Sequence, residues 1–370
     1  MPRDDRRAPA ASKLEWSHYK GAHMTNTGTR TIDWLFETQL QVDEEWSTRT
    51  PNGFKWWADK HAQTIEVIGE VSGGPGGQVG YLVSVRTELL RSVQLSDAAL
   101  KTINLLLMPT ASMAGPVYDQ STQTLSLASL VRVHEDISGW MNPLLSVAAT
   151  LQLHEAGTIG VSLATALHAE EALSSPPGRG IRPKPDEMAL VAGRVFLPLG
   201  RHPSRWSPAE FQEAVAEHMD RPPAMMASAG GAGLTVEFPF GDQSSLCQMM
   251  AEQPHPQYGN GLLMLQSFPT TAKSDVEGVK LALAMNQIEL AKTPFGYGFG
   301  SYAYRDDMLR FNSFFPNALY RNGLLPSLYF SCAERAREMS VRQTGTDWTK
   351  ESFSPRKTAI GQMIDRYLEE

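Results

Sequence analysis

The landmarks of residues 31–155 recur in the same order in residues 207–342, and this internal repeat restricts the fold more than any other feature of the chain. A glycine turn opens an apolar run at Gly53 (NGFKWW) and again at Gly233 (AGLTVE), 180 positions on. The runs GYLVSV from Gly80 and GLLMLQ from Gly261 are offset by 181. Ser96-Asp97 and Ser274-Asp275, each with the chemistry of a helix N-cap, are offset by 178. Helix openings at Trp140-Met141-Asn142-Pro143 and Tyr320-Arg321-Asn322-Gly323 are offset by 180. Order and spacing held over so many landmarks point to a tandem duplication.

Local pattern supplies the elements. Ile32, Leu35, Phe36, Leu40, Val42 and Trp46 share one face of a helical wheel. The counterpart helix opens with Ser207, Pro208 and Glu210, a capping-box arrangement, and carries Phe211 and Ala214 on its stripe. Leu125, Leu127, Val131 and Val133 read as strand, as do Leu309, Phe311 and Phe315 in MLRFNSFF. Each unit therefore reads α-β-β-β-α-β-β-α. Short connections between consecutive strands predict an α+β fold, with two antiparallel sheets and the helices of each on one face.

The spacing divides the chain into a disordered tail (1–30), a first unit (31–156), a linker (157–206), a second unit (207–345) and a C-terminal helix (346–370). GAHM at 21–24 has the look of a cloning scar, with Met24 an alternative start. The linker is expected to hold a helix near Thr158–Leu173, the loop SSPPGRGIRPKP and a strand near Arg194–Leu199. An amphipathic helix over Pro355–Leu368 ends the chain.

Composition bears on function mainly by exclusion. With 33 Lys+Arg against 40 Asp+Glu the net charge is −7, the wrong sign for a protein that coats nucleic acid. No apolar run approaches the roughly 18 residues of a membrane span. Two cysteines in 370 residues fit a reducing cytoplasm and no disulfide scaffold.

Catalytic and metal motifs fail one by one. His154-Glu155 would begin a zinc-protease helix, but Thr158 stands where the second histidine is needed. SGGPGGQVG (72–80) lacks the Lys-Ser/Thr of a phosphate loop and reads as a hairpin loop. GYGFGSYAY (296–304) has no GxGxxG order and reads as strand, and Asp306-Asp307 reads as a solvated turn. There is no GxSxG elbow, and neither Cys247 nor Cys332 has a His/Asn partner visible in sequence. No cofactor, metal or catalytic residue is assigned.

The element order, the repeat and the acidity resemble the fold shared by type III secretion chaperones of the CesT type and YbjN-like proteins. Actinobacterial chains of two such units are described as peptide-binding chaperone domains, and arginine here is about twice as frequent as lysine, as a GC-rich genome gives. The resemblance covers about residues 31–155 and 207–342, and implies a pseudo-dimer of the two units within one chain. One departure is that the secretion chaperones are commonly single-unit homodimers.

Apolar residues off the core stripes are the candidate peptide-binding site. Trp34 falls opposite Ile32 on the first helix, and Trp56 and Trp57 are strand neighbours that must face opposite ways. Leu281, Met285 and Ile288 form a second stripe on the helix after Ser274, and Phe314 points away from Phe311 and Phe315. Two readings share these residues: a groove for an apolar client segment, or the buried contact between the units. The function expected is a non-enzymatic, cytoplasmic chaperone or adaptor. A structural or regulatory interaction protein without a client, and an enzyme whose site assembles from distant residues, are the alternatives.

Overall fold

The computed structural model describes residues 26–74, 78–196, 206–216, 224–228 and 231–347. Among them are two antiparallel sheets. The first holds β1 (Ser47–Thr50), β2 (Gly53–Trp56), β3 (Gln63–Gly74), β4 (Gln78–Arg91), β5 (Gly115–Asp119) and β6 (Thr124–Val133) in the order β1-β2-β3-β4-β6-β5, and β7 (Glu170–Glu171) pairs with the end of β4. The second holds β8 (Ala224–Ser228), β9 (Gly231–Phe240), β10 (Gln243–His255), β11 (Gly259–Pro269), β12 (Ser301–Arg305) and β13 (Met308–Pro316) in the order β8-β9-β10-β11-β13-β12. Position for position the two orders are the same, and the fold is α+β as the sequence pattern requires. Each sheet gains a short edge strand, β1 or β8, that its polar or turn-like sequence did not announce.

The helices are α1 (Thr27–Asp33), α2 (Asp97–Thr102), α3 (Glu135–Leu167), α4 (Glu187–Val195), α5 (Pro208–Ala216), α6 (Asp275–Glu289) and α7 (Leu324–Thr344). Their starts follow capping chemistry. Ser96 accepts from the Ala99 amide and Ser274 from that of Glu277. At α5 the capping box closes reciprocally, Glu210 N–H to Ser207 Oγ at 3.3 Å and Ser207 N–H to Glu210 Oε2 at 3.1 Å. Between β12 and β13 the two-residue turn Asp306-Asp307 has φ of 52° and 55°, the paired left-handed conformation of a tight hairpin.

Several boundaries differ from the sequence reading. Asn26 caps α1, so residues 26–30 fold within what reads as tail, and residues 1–25 lie outside the described residues. The helices expected at Trp140 and Thr158 are one 33-residue helix, α3, roughly 50 Å long, which starts at Glu135 and carries Pro143 in its third turn. Where a strand was expected near Arg194–Leu199, α4 runs through Val195, and 197–205 lie outside the described residues. The helix expected over 355–368 also lies outside them.

On the first sheet, Phe54, Trp56, Ile65, Val83, Val85, Leu127 and Val131 face α3 and are buried. The matching face of the second sheet presents Val236, Phe238, Cys247, Met249, Met264, Phe311 and Phe315 towards α7. Both sets belong to one continuous core. The sheets meet through β5–β6 and β12–β13. Leu130 and Gly298 exchange backbone hydrogen bonds of 3.0 and 3.4 Å, and a Cβ at Gly298 would stand 2.3 Å from the Leu130 carbonyl, so only glycine fits there. The Phe314 amide donates to the Ser112 carbonyl at 3.0 Å. Asn104 reaches across to bond both the amide and the carbonyl of Tyr304 at 2.8 Å, while Asn286 does the same for Tyr302 within the second half of the chain.

Candidate functional site

The seven apolar residues proposed from sequence do not form one open groove. Trp56, Trp57, Met285 and Phe314 are buried, and Trp34, Leu281 and Ile288 are half-buried against the core. Both tryptophans are covered because β2 ends at Trp56 and the chain after α3 closes over the other side. Trp56 donates its indole N–H to Gln63 on the helix-facing side, and Trp57 donates to Ser174 Oγ at 2.9 Å. Trp34 begins a π-helical stretch, Trp34–Gln39, whose extra residue per turn shifts the wheel on which it pointed outward. Phe314 lies where the sheets meet, its ring 4.7 Å from His255.

The outer faces, opposite the helices, distinguish the two sheets. On the first sheet the uncovered rows carry Lys55, Thr64 and Arg86, then Glu66 and Ser84, with Glu88 beyond. Lys55 pairs with Glu88 at 2.6 Å and Arg86 donates to Ser126. Attraction of Lys55 and Arg91 outweighs burial and holds the Glu88 carboxyl below its ordinary range. On the second sheet the corresponding rows carry Met250 beside Leu263, Gln248 beside Leu265, and Leu246 beside Ser267. Leu246, Met250, Leu263 and Leu265 are half-buried, on the face opposite the Cys247, Met249, Met264 and Gln266 side that Arg335 and Cys332 of α7 contact. Sequence reasoning missed these four. The signal was there: GLLMLQ fails to alternate, as a strand with one solvated face would.

Two further apolar features lie near α2. Leu105 and Leu106, on the π-helical stretch Ile103–Leu107, are 71% and 54% exposed. A small open cleft between α2 and α6 is lined by Leu95, Leu100, Tyr118 and Leu283.

Buried polar groups are arranged differently in the two halves. Behind the first sheet, Gln63, Thr87 and Gln152 form a neutral network, with Gln63 donating to Thr87 Oγ1 and to the Ala149 carbonyl, and Thr87 donating to Gln152. Behind the second, Arg335 holds Glu289 at 2.7 Å, bonds Gln266 at 2.8 Å and stacks over Phe311, while Tyr302 donates to Glu289. The Glu289 charge keeps the Arg335 guanidinium ionised despite complete burial, and desolvation, aided by that charge, pushes the Tyr302 phenol well up.

One buried acid stands at the meeting of the sheets. Glu155 of α3 is 3% exposed, and its Oε1 accepts from Ser112 N–H (3.2 Å), Ser112 Oγ (2.9 Å) and the Tyr258 hydroxyl (3.1 Å), whereas Oε2 has no partner. Desolvation raises this carboxyl to about 7. Among the described residues no cluster of three or more His, Cys, Asp or Glu side chains has the geometry of a metal site. No described helix is long and apolar enough to cross a membrane. Neither a protein-family model, nor a curated protein, nor a solved structure matches the chain.

Proposed function

We propose that this chain is a cytoplasmic, non-enzymatic protein-binding module of the chaperone or adaptor type, its two halves packed as a pseudo-dimer, with the outer face of the second sheet receiving an apolar segment of a client. The observation that supports this reading is the patch of Leu246, Met250, Leu263 and Leu265 on the outer face of the second sheet, where the corresponding rows of β2–β4 in the first sheet carry Lys55, Thr64, Arg86, Glu66 and Ser84. An antiparallel sheet buries such a face under an amphipathic helix, the solution both inner faces use. Methionine at the centre of a patch adapts to clients of varied shape. The net charge of −7 favours a client helix whose polar side is basic.

The test is a fluorescence-anisotropy titration of the full chain with labelled amphipathic helices bearing a basic polar face. Binding should weaken by at least ~10-fold in the Met250→Glu/Leu265→Glu double variant, as for loss of a central anchor. The same substitutions should leave the urea midpoint unchanged, and Thr64→Glu on the first sheet should bind as wild type. Full binding by the double variant, or a loss that instead follows Leu105→Glu, overturns the site. Concentration-dependent dimerisation abolished by the double variant would assign the face to a second copy and overturn the client reading.

A further inference from the structure

The contact between the two sheets is fastened at one place by a group that has two charge states. The loop Thr110–Ala114 of the first half is held from three sides. Glu155 on α3 takes both donors of Ser112, β13 donates the Phe314 amide to the Ser112 carbonyl, and the β10–β11 turn contributes Tyr258 and His255. His255 Nε2 sits 3.1 Å from the Thr110 carbonyl, and its ring stacks on Tyr258 at 4.7 Å. Tyr258 is therefore the second half's grip on Glu155.

Two effects oppose each other at this carboxyl. Three donors fall on Oε1 and favour the carboxylate, but the group is fully buried and Oε2 has no partner, so the cost of desolvating the charge is the larger effect and favours the neutral acid. The titratable groups around it are His154 beside it on α3, with its ring 5.9 Å from that of Tyr258, and Tyr258 and His255 on the turn. From α4 the site meets Phe196 against Tyr258 and Gly193 against His154, which carry no charge. No cation among these groups compensates an ionised Glu155, and burial drives both histidines towards the neutral form, His255 down to about 4.

We propose that Glu155 is a pH-sensitive clasp between the two sheets: protonated it holds loop 110–114 to the turn 255–258, and on ionisation it loosens that junction. The clasp uses none of the four patch residues, and it adjoins them where Phe314 pairs with Leu263 across β11 and β13. It makes opening of the junction easier as pH rises from the ordinary glutamate range towards 7, with a plateau above.

Native-state hydrogen exchange of the full chain tests this, read on peptides covering 108–114 and 255–261 for wild type and Glu155→Gln. The ratio of wild-type to variant protection cancels the opposite titration of His154 and His255. It should fall about 50-fold between pH 5 and pH 7.5 if opening exposes the carboxyl fully. A ratio independent of pH overturns the proposal. Should the variant fail to fold, the carboxyl carbon-13 shift of Glu155 in the wild-type chain decides. A midpoint near 7 supports the clasp, and one near the ordinary 4.5 overturns it.

Discussion

The two sheets share one strand order and treat polarity in opposite ways on both faces. Behind the first sheet Gln63, Thr87 and Gln152 form a network of neutral amides and a hydroxyl. Behind the second lies a fully buried Arg335–Glu289 pair with Tyr302 and Gln266. On the outer side the first sheet carries the Lys55–Glu88 pair beside Thr64 and Arg86, and the second carries Leu246, Met250, Leu263 and Leu265 among Gln248, Ser267 and Arg310. Strand order rests on hairpins, caps and the apolar inner face, which both halves keep. The chemistry mounted on that frame is free to diverge, and it is the divergence, rather than the frame, that points to function.

The sharpest way to break this comparison is through the inner networks. Arg335→Met strands Glu289 in the core and should cost about 3–5 kcal/mol in urea unfolding, while Arg335→Met with Glu289→Leu should recover most of that loss. If the single change costs no more than the neutral counterpart described below, the ionic character of the second network is irrelevant to stability. Next in size is the junction. A carboxyl raised from 4.5 to about 7 keeps its proton in the fold, so its contribution is complete below about pH 4.5 and is lost as pH climbs to 7. Wild type should therefore lose about 3 kcal/mol relative to Glu155→Gln across that range in urea melts. His255, held neutral, acts the other way, losing stability as pH falls from 6.5 towards 4.

Behind the first sheet, Gln152→Leu removes an acceptor for Thr87 and a donor to the Val85 carbonyl, and should cost about 1–3 kcal/mol by the same melts. The smallest effects belong to the outer faces. Met250→Glu/Leu265→Glu and Thr64→Glu should each stay within about 0.5 kcal/mol of wild type, because a side chain on the outer face of either sheet can turn its carboxylate to solvent. A stability loss of several kcal/mol in the double variant would mean that the second outer face is core after all, and would remove the contrast with the first.

Much of the frame is legible in the sequence because it is locally encoded. The Ser96, Ser207 and Ser274 caps, the Asp306-Asp307 turn and the alternation in β13 all act over a few residues. What escapes is set by distant partners. Trp57 looks exposed until Ser174, 117 residues on, covers it. Glu155 beside His154 suggests metal chemistry in the sequence, and only Tyr258, 103 residues away, shows it to be a junction residue. The length of α3 was hidden by Asn142-Pro143, which reads as a helix start although the acidic turn Glu135-Asp136 had already begun one. The outer patch belongs to a third kind. Its signal, the unbroken GLLMLQ, is present but ambiguous, because a strand buried on both faces looks the same.

Asn104 has a consequence for anyone who would divide the chain. Strand β12 bonds β13 along one side. On the other, its backbone groups at Tyr302 and Tyr304 are satisfied by carboxamides, one supplied by each half. A second half produced alone would keep the Asn286 plug and lose that of Asn104, leaving Tyr304 at the mouth of an open, unguarded sheet edge of the kind that recruits stray strands into aggregates. The halves are copies in topology, yet they are not interchangeable parts: the second sheet is finished only in the presence of the first half.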